Sequence, residues 1–345
     1  NIVDFTNRYK SIMQFNKNKS VSIHKWYPFV EGYSREFIES VLEELDYVPV
    51  CALDPFSGSG TTALELQYKN IKCLSFEVSP FMHLLSKVKL RKDYASHELE
   101  EIIDVLRKNL GSLQTKIREV EHIPFGDTVV EKEGLSKWNF NAEVLDGILD
   151  IRYEIRKVAE RKYQDLLLVA LASILIEVSN VFRNGKCLSY KKGWRNKTLK
   201  RDEVHSTFLN KITEIFMPDI ISSEKNKWED KVSNYNLCLY GSAMELIKEL
   251  PNNSIDLVIT SPPYLNSRDY TDIYMLELKI LELVSNHEDL RSLRKRTLRS
   301  HVQIKHGDLE TLKIPLLESY ISQIAKRDFK MWNPDLLNMI RGYFI

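Results

Sequence analysis

Two short stretches of the chain carry residue types at spacings that could do chemistry. The first, Asp54-Pro55-Phe56-Ser57-Gly58-Ser59-Gly60-Thr61-Thr62, sets two glycines between an apolar run and a helix-forming run. Glycine lets a backbone approach a ligand closely, and free N–H groups at a helix start favour anionic or polar groups. Glu77, at the tip of the next apolar run, is placed to accept hydrogen bonds from two ribose hydroxyls. The spacing matches neither GxGxxG nor GxxxxGK(S/T), so a phosphate-cradling ATPase loop is not supported. A tight strand-to-helix turn without a ligand is the plain alternative. The second stretch is Ser261-Pro262-Pro263-Tyr264. Two prolines after an apolar run cannot continue a ladder and force a rigid, extended turn. That turn presents a hydroxyl, a fixed carbonyl and an aromatic face, a set suited to a planar ring bearing an amino group.

Both stretches need a scaffold, and the pattern around them supplies one. Val48 to Leu53 reads as a strand ending in Asp54, Thr61 to Tyr68 as a helix, and Ile71 to Phe76 as a second strand. This is a β-α-β unit, the start of a parallel sheet covered by helices. Ahead of it lie an aromatic loop, His24 to Phe29, and an amphipathic helix carrying Phe37, Ile38, Val41, Leu42 and Leu45. Long helical runs follow (His97 to Val120; Ala142 to Phe182), with an apolar face at Leu166, Leu167, Val169, Ala170 and Ile174 expected to form a core of its own. Strands return at Tyr235 to Tyr240 and Ile255 to Thr260, joined by a helix containing Met244, Leu246 and Ile247. Open α/β sheets bind ligands at the carboxyl ends of their strands, which is where both stretches fall.

Composition bounds the rest. The chain has 345 residues, 43% hydrophobic and 28% charged, an ordinary core-forming balance that excludes wholesale disorder. Lys and Arg total 49 against 48 Asp and Glu, a net charge of +1, so any basic surface must be local. The longest apolar run, Leu166 to Ile176, is about half of a membrane span. Cys51, Cys73, Cys187 and Cys238 are scattered, with no CxxC and no His at metal spacing. Neither a disulfide scaffold nor a metal site is expected, and the cytoplasm is the expected home.

The stretches resemble a known family. Asp54 to Thr62 and Thr260 to Tyr264 are similar to motifs I and IV of the S-adenosylmethionine-dependent DNA amino-methyltransferases, which methylate N4 of cytosine or N6 of adenine. His24 to Phe29 resembles their motif X, Leu74 to Pro80 their acidic motif II, and Leu239 to Tyr264 the lead-in through motifs III and IV. The resemblance implies a Rossmann-like methyltransferase sheet. It sets Phe56, Ser57, Gly58, Gly60 and Thr61 on the methionine side of S-adenosylmethionine, Asp54 near its amino group, Glu77 on its ribose, and Trp26 and Tyr27 beside it. Ser261, Pro262, Pro263 and Tyr264 would hold a flipped base, and the serine favours cytosine N4 over adenine N6. The implied chemistry is direct in-line transfer to the amino nitrogen, within a restriction-modification system. A C5-cytosine enzyme needs a Cys nucleophile, typically after Pro, and no Pro-Cys occurs.

Two departures stand out. Gly241 is followed by Ser242 and Ala243 where the family usually carries an acidic contact to the cofactor's adenine. No convincing strands for motifs V to VIII follow motif IV. The expectation is a sheet incomplete at its C-terminal side, through truncation or a complementing subunit. The expected divisions are a cofactor part (1–94), a helical insertion as candidate target-recognition region (95–232) and a catalytic part (233–345). Double-stranded DNA, the implied partner, needs phosphate contacts. Candidates are Lys191, Lys192, Arg195, Lys197, Lys200 and Arg201, with Trp194 between them, and Arg291, Arg294, Lys295, Arg296 and Arg299. A solvated charged surface is the alternative for each run. The competing functions are an RNA guanine-N2 methyltransferase and a catalytically silent DNA-binding subunit.

Overall fold

The computed structural model describes residues 6–29, 32–113, 123, 128–185, 187–197, 199–225, 236–265, 269–302, 314–326 and 333–344. Short apolar runs bounded by turn residues become strands: β1 (Cys51–Asp54), β2 (Lys72–Glu77), β3 (Val181–Asn184), β4 (Cys187–Tyr190), β5 (Leu237–Tyr240) and β6 (Leu257–Val258). Four of them form a parallel sheet in the order β5-β2-β1-β6. Ala52 lies opposite both Cys73 and Leu257, and Leu53 opposite Leu74 and Val258. β6 is short, and extends its pairing through Asp256 N–H to Cys51 (2.9 Å) and Ile259 N–H to Leu53 (3.1 Å).

The N-terminal helices α1 (Thr6–Tyr9) and α2 (Arg35–Glu43) precede the sheet, and α3 (Thr61–Tyr68) and α4 (Pro80–Leu90) pack on it. Ser79 caps α4 and Pro80 occupies its first turn, where a missing N–H is harmless. Next come α5 (Ser96–Ser112), α6 (Ala142–Arg156), α7 (Arg161–Val178), α8 (Arg201–Lys211), a π-helical turn at Ile212–Phe216 and α9 (Met217–Lys225). Past β5 lie α10 (Ala243–Leu246), α11 (Tyr270–Ile273), α12 (Met275–Ile280), α13 (His287–Arg296), α14 (Pro315–Ala325) and α15 (Leu336–Phe344).

Two sequence expectations change here. The helical run from Ala142 to Phe182 is two helices and the first strand of a hairpin. Glu160 adopts an extended backbone that starts α7 afresh, and Phe182 belongs to β3. The Asn184-Gly185 dipeptide, with Gly185 at φ +57°, is the hairpin signal that the helical reading passes over. Nor does the insertion keep a core to itself. In α7, Leu166, Leu167, Ala170, Leu171, Ile174 and Leu175 are all fully buried. A helix apolar on every side belongs at the centre of a core. It packs against α4, α6 and α8, so the helical region and the sheet share one continuous core. Of the run from His97 to Val120, residues 114–120 lie outside the described residues, as do Tyr235 and the end of the 95–232 division. No helix among the described residues is long and apolar enough to cross a membrane.

Candidate active site

The chain runs from β1 outward to β2 and β5, then returns to the other side of β1 for β6. That reversal makes a topological switch point between β1 and β6, where two successive connections leave in opposite directions and a crevice opens. The crevice holds about 1230 Å³, counting its open mouth. Its walls include Phe56, Ser57, Gly58, Thr61 and Glu77 on one side and Ser261, Pro262, Pro263 and Tyr264 on the other. Two motifs some two hundred residues apart in sequence therefore face one space.

The glycine turn is built around left-handed backbone. Gly58 has φ +52° and Gly60 φ +79°, values that L side chains rarely adopt. A Cβ on Gly58 would lie 2.9 Å from the Phe29 ring, and one on Gly60 2.9 Å from Ser86 Oγ. Gly60 caps α3 and does not itself face the crevice. The Glu77 carboxylate accepts from Gly58 N–H (2.8 Å) and Ser79 N–H (2.7 Å), fixing the turn against the tip of β2. Burial pushes its pKa up to about 7. Each oxygen keeps a second lone pair for a ligand hydroxyl. Lys89 reaches the turn from below, donating to the Ser59 carbonyl at 3.2 Å, with its pKa lowered to about 7 by burial.

Asp54 lies beneath the turn, nearly inaccessible, and does not reach the crevice wall. It accepts from Phe56 N–H (3.2 Å), Thr260 Oγ1 (2.9 Å) and Tyr33 Oη (3.4 Å). Burial raises its pKa. One carboxylate thus ties the glycine turn, the residue preceding Ser261 and the Tyr33 loop together. The Pro-Pro turn is pinned from outside as well: Tyr343 of α15 donates to the Pro263 carbonyl at 2.7 Å. Tyr264 is half exposed at the mouth.

Trp26 and Tyr27 are not beside the crevice. Trp26 is buried, donates to Asp219 at 2.9 Å and stacks on Phe216 at 4.8 Å. Tyr27 is buried against Glu277 (2.8 Å) and Arg183. Their role is to join the N-terminal loop to the helical region. Phe29, at the end of the same aromatic loop, is the residue that lines the site, stacked parallel to Tyr274 at 6.2 Å. Sequence reading also passes over Tyr33, Asp269, Thr271, Tyr274 and His301, which complete the wall. Nothing in their local pattern distinguishes them, because the loop before α2 and the segments around α11–α13 bring them to the crevice only through tertiary packing. Gly241, Ser242, Ala243 and Met244 do line it, at the end of β5.

The basic candidates divide. Lys191 Nζ donates to the carbonyls of Ile176 (2.8 Å), Glu177 (2.8 Å) and Ser179 (2.6 Å), closing the C-terminal end of α7. Trp194 is buried against Trp138 and Tyr190. Arg201 is paired with Asp150, and Arg294 with Asp269 and Asp272. Arg299 is buried against Gly342. These five are structural. Arg195 is exposed, donating to the Ser136 carbonyl at 2.7 Å, and Lys192, Lys197, Arg291 and Lys295 are exposed too. Lys200 lies at the start of α8, with its N–H on Glu203 at 2.7 Å. Arg296 sits at the rim of the crevice, 5.5 Å over the Tyr240 ring.

The glycine turn and the Pro-Pro turn thus face each other across the switch point of a parallel α/β sheet, the place where such sheets bind ligands. No protein-family profile matches the chain. Known proteins similar to it are type II methyltransferases. M.BsoBI of Geobacillus stearothermophilus is 26% identical over 97% of this chain and 71% of its own length. M.AvaI of Nostoc sp. is 24% identical over the same shares, and M.MvaI of Kocuria varians 22% over 95% and 73%. These relatives support the DNA methyltransferase family for this chain, and type II DNA methyltransferases take S-adenosylmethionine as methyl donor. The crevice fits that donor: a carboxylate for its ribose, bare backbone where a Cβ would crowd the turn, and a broad apolar floor.

Proposed function

We propose that this protein methylates the exocyclic amino nitrogen of a base flipped out of double-stranded DNA, N4 of cytosine, as the modification half of a restriction-modification system. The observation that carries this reading is the convergence of the glycine turn and the Ser-Pro-Pro-Tyr turn on one crevice. S-adenosylmethionine, when bound, supplies an electrophilic methyl group. Ser57, Gly58 and Thr61 hold its methionine side and Glu77 its ribose, while Asp54 acts from below by holding the turn in shape.

An exocyclic amino group is a poor nucleophile because its lone pair is delocalised into the ring. Ser261 and the Pro262 carbonyl accept its N–H bonds, draw it toward tetrahedral geometry and stabilise the positive charge that develops. Tyr264 stacks on the base and offsets part of the few kcal/mol that flipping costs. The serine heading the turn supports cytosine. Residues 95–232 are the proposed target-recognition region between cofactor (1–94) and catalytic (233–345) parts. Lys192, Arg195 and Lys197 on its loop are the proposed phosphate contacts, with Arg296 nearer the base.

Incubating unmodified DNA with the protein and isotope-labelled S-adenosylmethionine, then analysing nucleosides by mass spectrometry, tests the reading. Labelled N4-methylcytosine is expected, and none with Ser261→Ala. Labelled N6-methyladenine would overturn the base assignment, and label in RNA alone would overturn the DNA assignment.

A further inference from the structure

Arg183 keeps its charge inside the molecule. It lies on β3, within the helical insertion, with its side chain 10% exposed, and its partner Glu277 on α12 is fully buried. An ion pair taken out of water recovers its desolvation cost only when its remaining donors and acceptors are also used. This pair leaves some of them idle. Glu277 Oε1 accepts from both Arg183 and Tyr27 Oη, whereas Glu277 Oε2 and Arg183 Nε meet no hydrogen-bond partner among the described residues. Such a pair is a poor source of stability, so its use lies in where it holds the guanidinium. The guanidinium carbon sits 5.1 Å from the centre of the Tyr274 ring and 5.3 Å from that of Tyr27. A cation over an aromatic face holds it most strongly when both are out of water. Tyr274, 4% exposed, backs the crevice wall, its ring parallel to that of Phe29 (6.2 Å between centres, 3° between planes). Phe29 fronts the wall and lies against the glycine turn, where a Cβ on Gly58 would meet its ring at 2.9 Å. Three contacts thus run in one line from β3 to the glycine turn.

Resting on the reading that this crevice takes S-adenosylmethionine with its methionine side at the glycine turn, we propose that Arg183 is a positioning residue for the donor. From the helical insertion it fixes Tyr274, and through Tyr274 it fixes the Phe29 ring beside the turn. Phe29 has little else to set its place. It lies close to bare backbone at Gly58 and at Gly32, where a Cβ would meet it at 2.7 Å, so neither residue offers a side chain to stop it sliding. Phe15 touches it only edge-on, with 5.9 Å between ring centres. The parallel Tyr274 ring is the contact that sets its plane, and the cation beyond Tyr274 sets that ring. Without the cation, Tyr274 loosens and Phe29 shifts into the space at Gly58 that the donor needs. The donor site therefore depends on a residue of the insertion that does not line the crevice.

The test separates positioning from stability. A triple variant, Tyr27→Phe with Arg183→Met and Glu277→Leu, removes the ion pair together with the hydroxyl that bonds it, so no charge is left buried alone. Its melting temperature is expected at or above the wild-type value. Calorimetric titration should nonetheless show the S-adenosylmethionine dissociation constant raised on the order of tenfold. Arg183→Lys keeps a cation over the ring and should stay within about threefold of the wild type. Tyr274→Leu should weaken donor binding by itself. Added to the triple variant it should cost no more than either change alone, because both act through one ring. An unchanged dissociation constant in the triple variant, or losses that add, would overturn the proposal. A melting temperature lower by more than about 5 °C would overturn it too, by making the pair a structural one. No S-adenosylmethionine binding by the wild type is a separate result, and overturns the donor assignment of the crevice together with the proposal.

Discussion

Glu77 gives the sharpest prediction, because its charge state and its proposed task pull against each other. Its carboxyl has a pKa of about 7 in the free crevice, against an ordinary value of 4.5, because burial disfavours the anion. Two ribose hydroxyls favour the anion, since it accepts both. Donor binding should therefore return the pKa toward 4.5 and release a proton around pH 6. The sign follows directly: affinity is full above pH 7 and falls as pH drops below it. With 7 free and about 4.5 bound, the dissociation constant at pH 6 should be about ten times that at pH 8. Stability of the ligand-free protein runs the other way. A raised folded pKa contributes stability that is fully present below about 4.5 and lost as pH rises through 7, so the donor stabilises most at high pH. Calorimetric titration at both pH values, in buffers of different ionisation enthalpy, reads the affinity and the proton together. Glu77→Gln should bind more weakly and show a flat profile. An equal dissociation constant at pH 6 and 8 for the wild type, or a sloped one for Glu77→Gln, would refute the reasoning.

Four further outcomes follow from the geometry. Gly60→Ala forces an alanine to φ +79° and sets its Cβ 2.9 Å from Ser86 Oγ, so thermal unfolding should show about 2 kcal/mol of lost stability. Lys191→Met removes three bonds to the carbonyls at the end of α7 and should destabilise by about 1–2 kcal/mol without changing the salt slope of DNA binding. A joint Lys192→Gln and Lys197→Gln variant should lower that slope and leave the melting temperature in place, as salt titrations of binding would show. Trp26→Phe loses the bond to Asp219 and should lower the melting temperature while S-adenosylmethionine affinity, followed by calorimetry, stays constant.

The parts of the molecule that were legible in the sequence are those governed by local rules. Thr61 to Tyr68 is helical at those bounds because a left-handed glycine sets its start. The βαβ unit and the parallel strand at Leu257–Val258 follow from short apolar runs broken by Gly, Asn and Pro. Asp54, Glu77 and the Pro-Pro turn were visible because a strand end is a fixed place in an α/β fold. Trp26 and Tyr27 were misplaced because an aromatic loop carries no local mark of which ring faces the crevice and which faces the core. Lys191 and Arg294 look identical in sequence to solvated cations, and only the end of α7 and the Asp269–Asp272 pair show otherwise. His301, in the loop past α13, carries no local mark either.

The carboxylate of Asp54 has a consequence for how this crevice could be retuned. It bonds the backbone of the donor's turn and the side chain that precedes Ser261, so the two floors of the crevice form one rigid plate. A substitution that shifts one floor drags the other, and selectivity for a new base cannot be introduced there without loss of donor affinity. Among the described residues Asp54 bonds Phe56, Thr260 and Tyr33 but none of the lining residues of the wall from Asp269 to His301. An engineer seeking a different acceptor should leave the plate and Tyr274 untouched and diversify the rest of that wall.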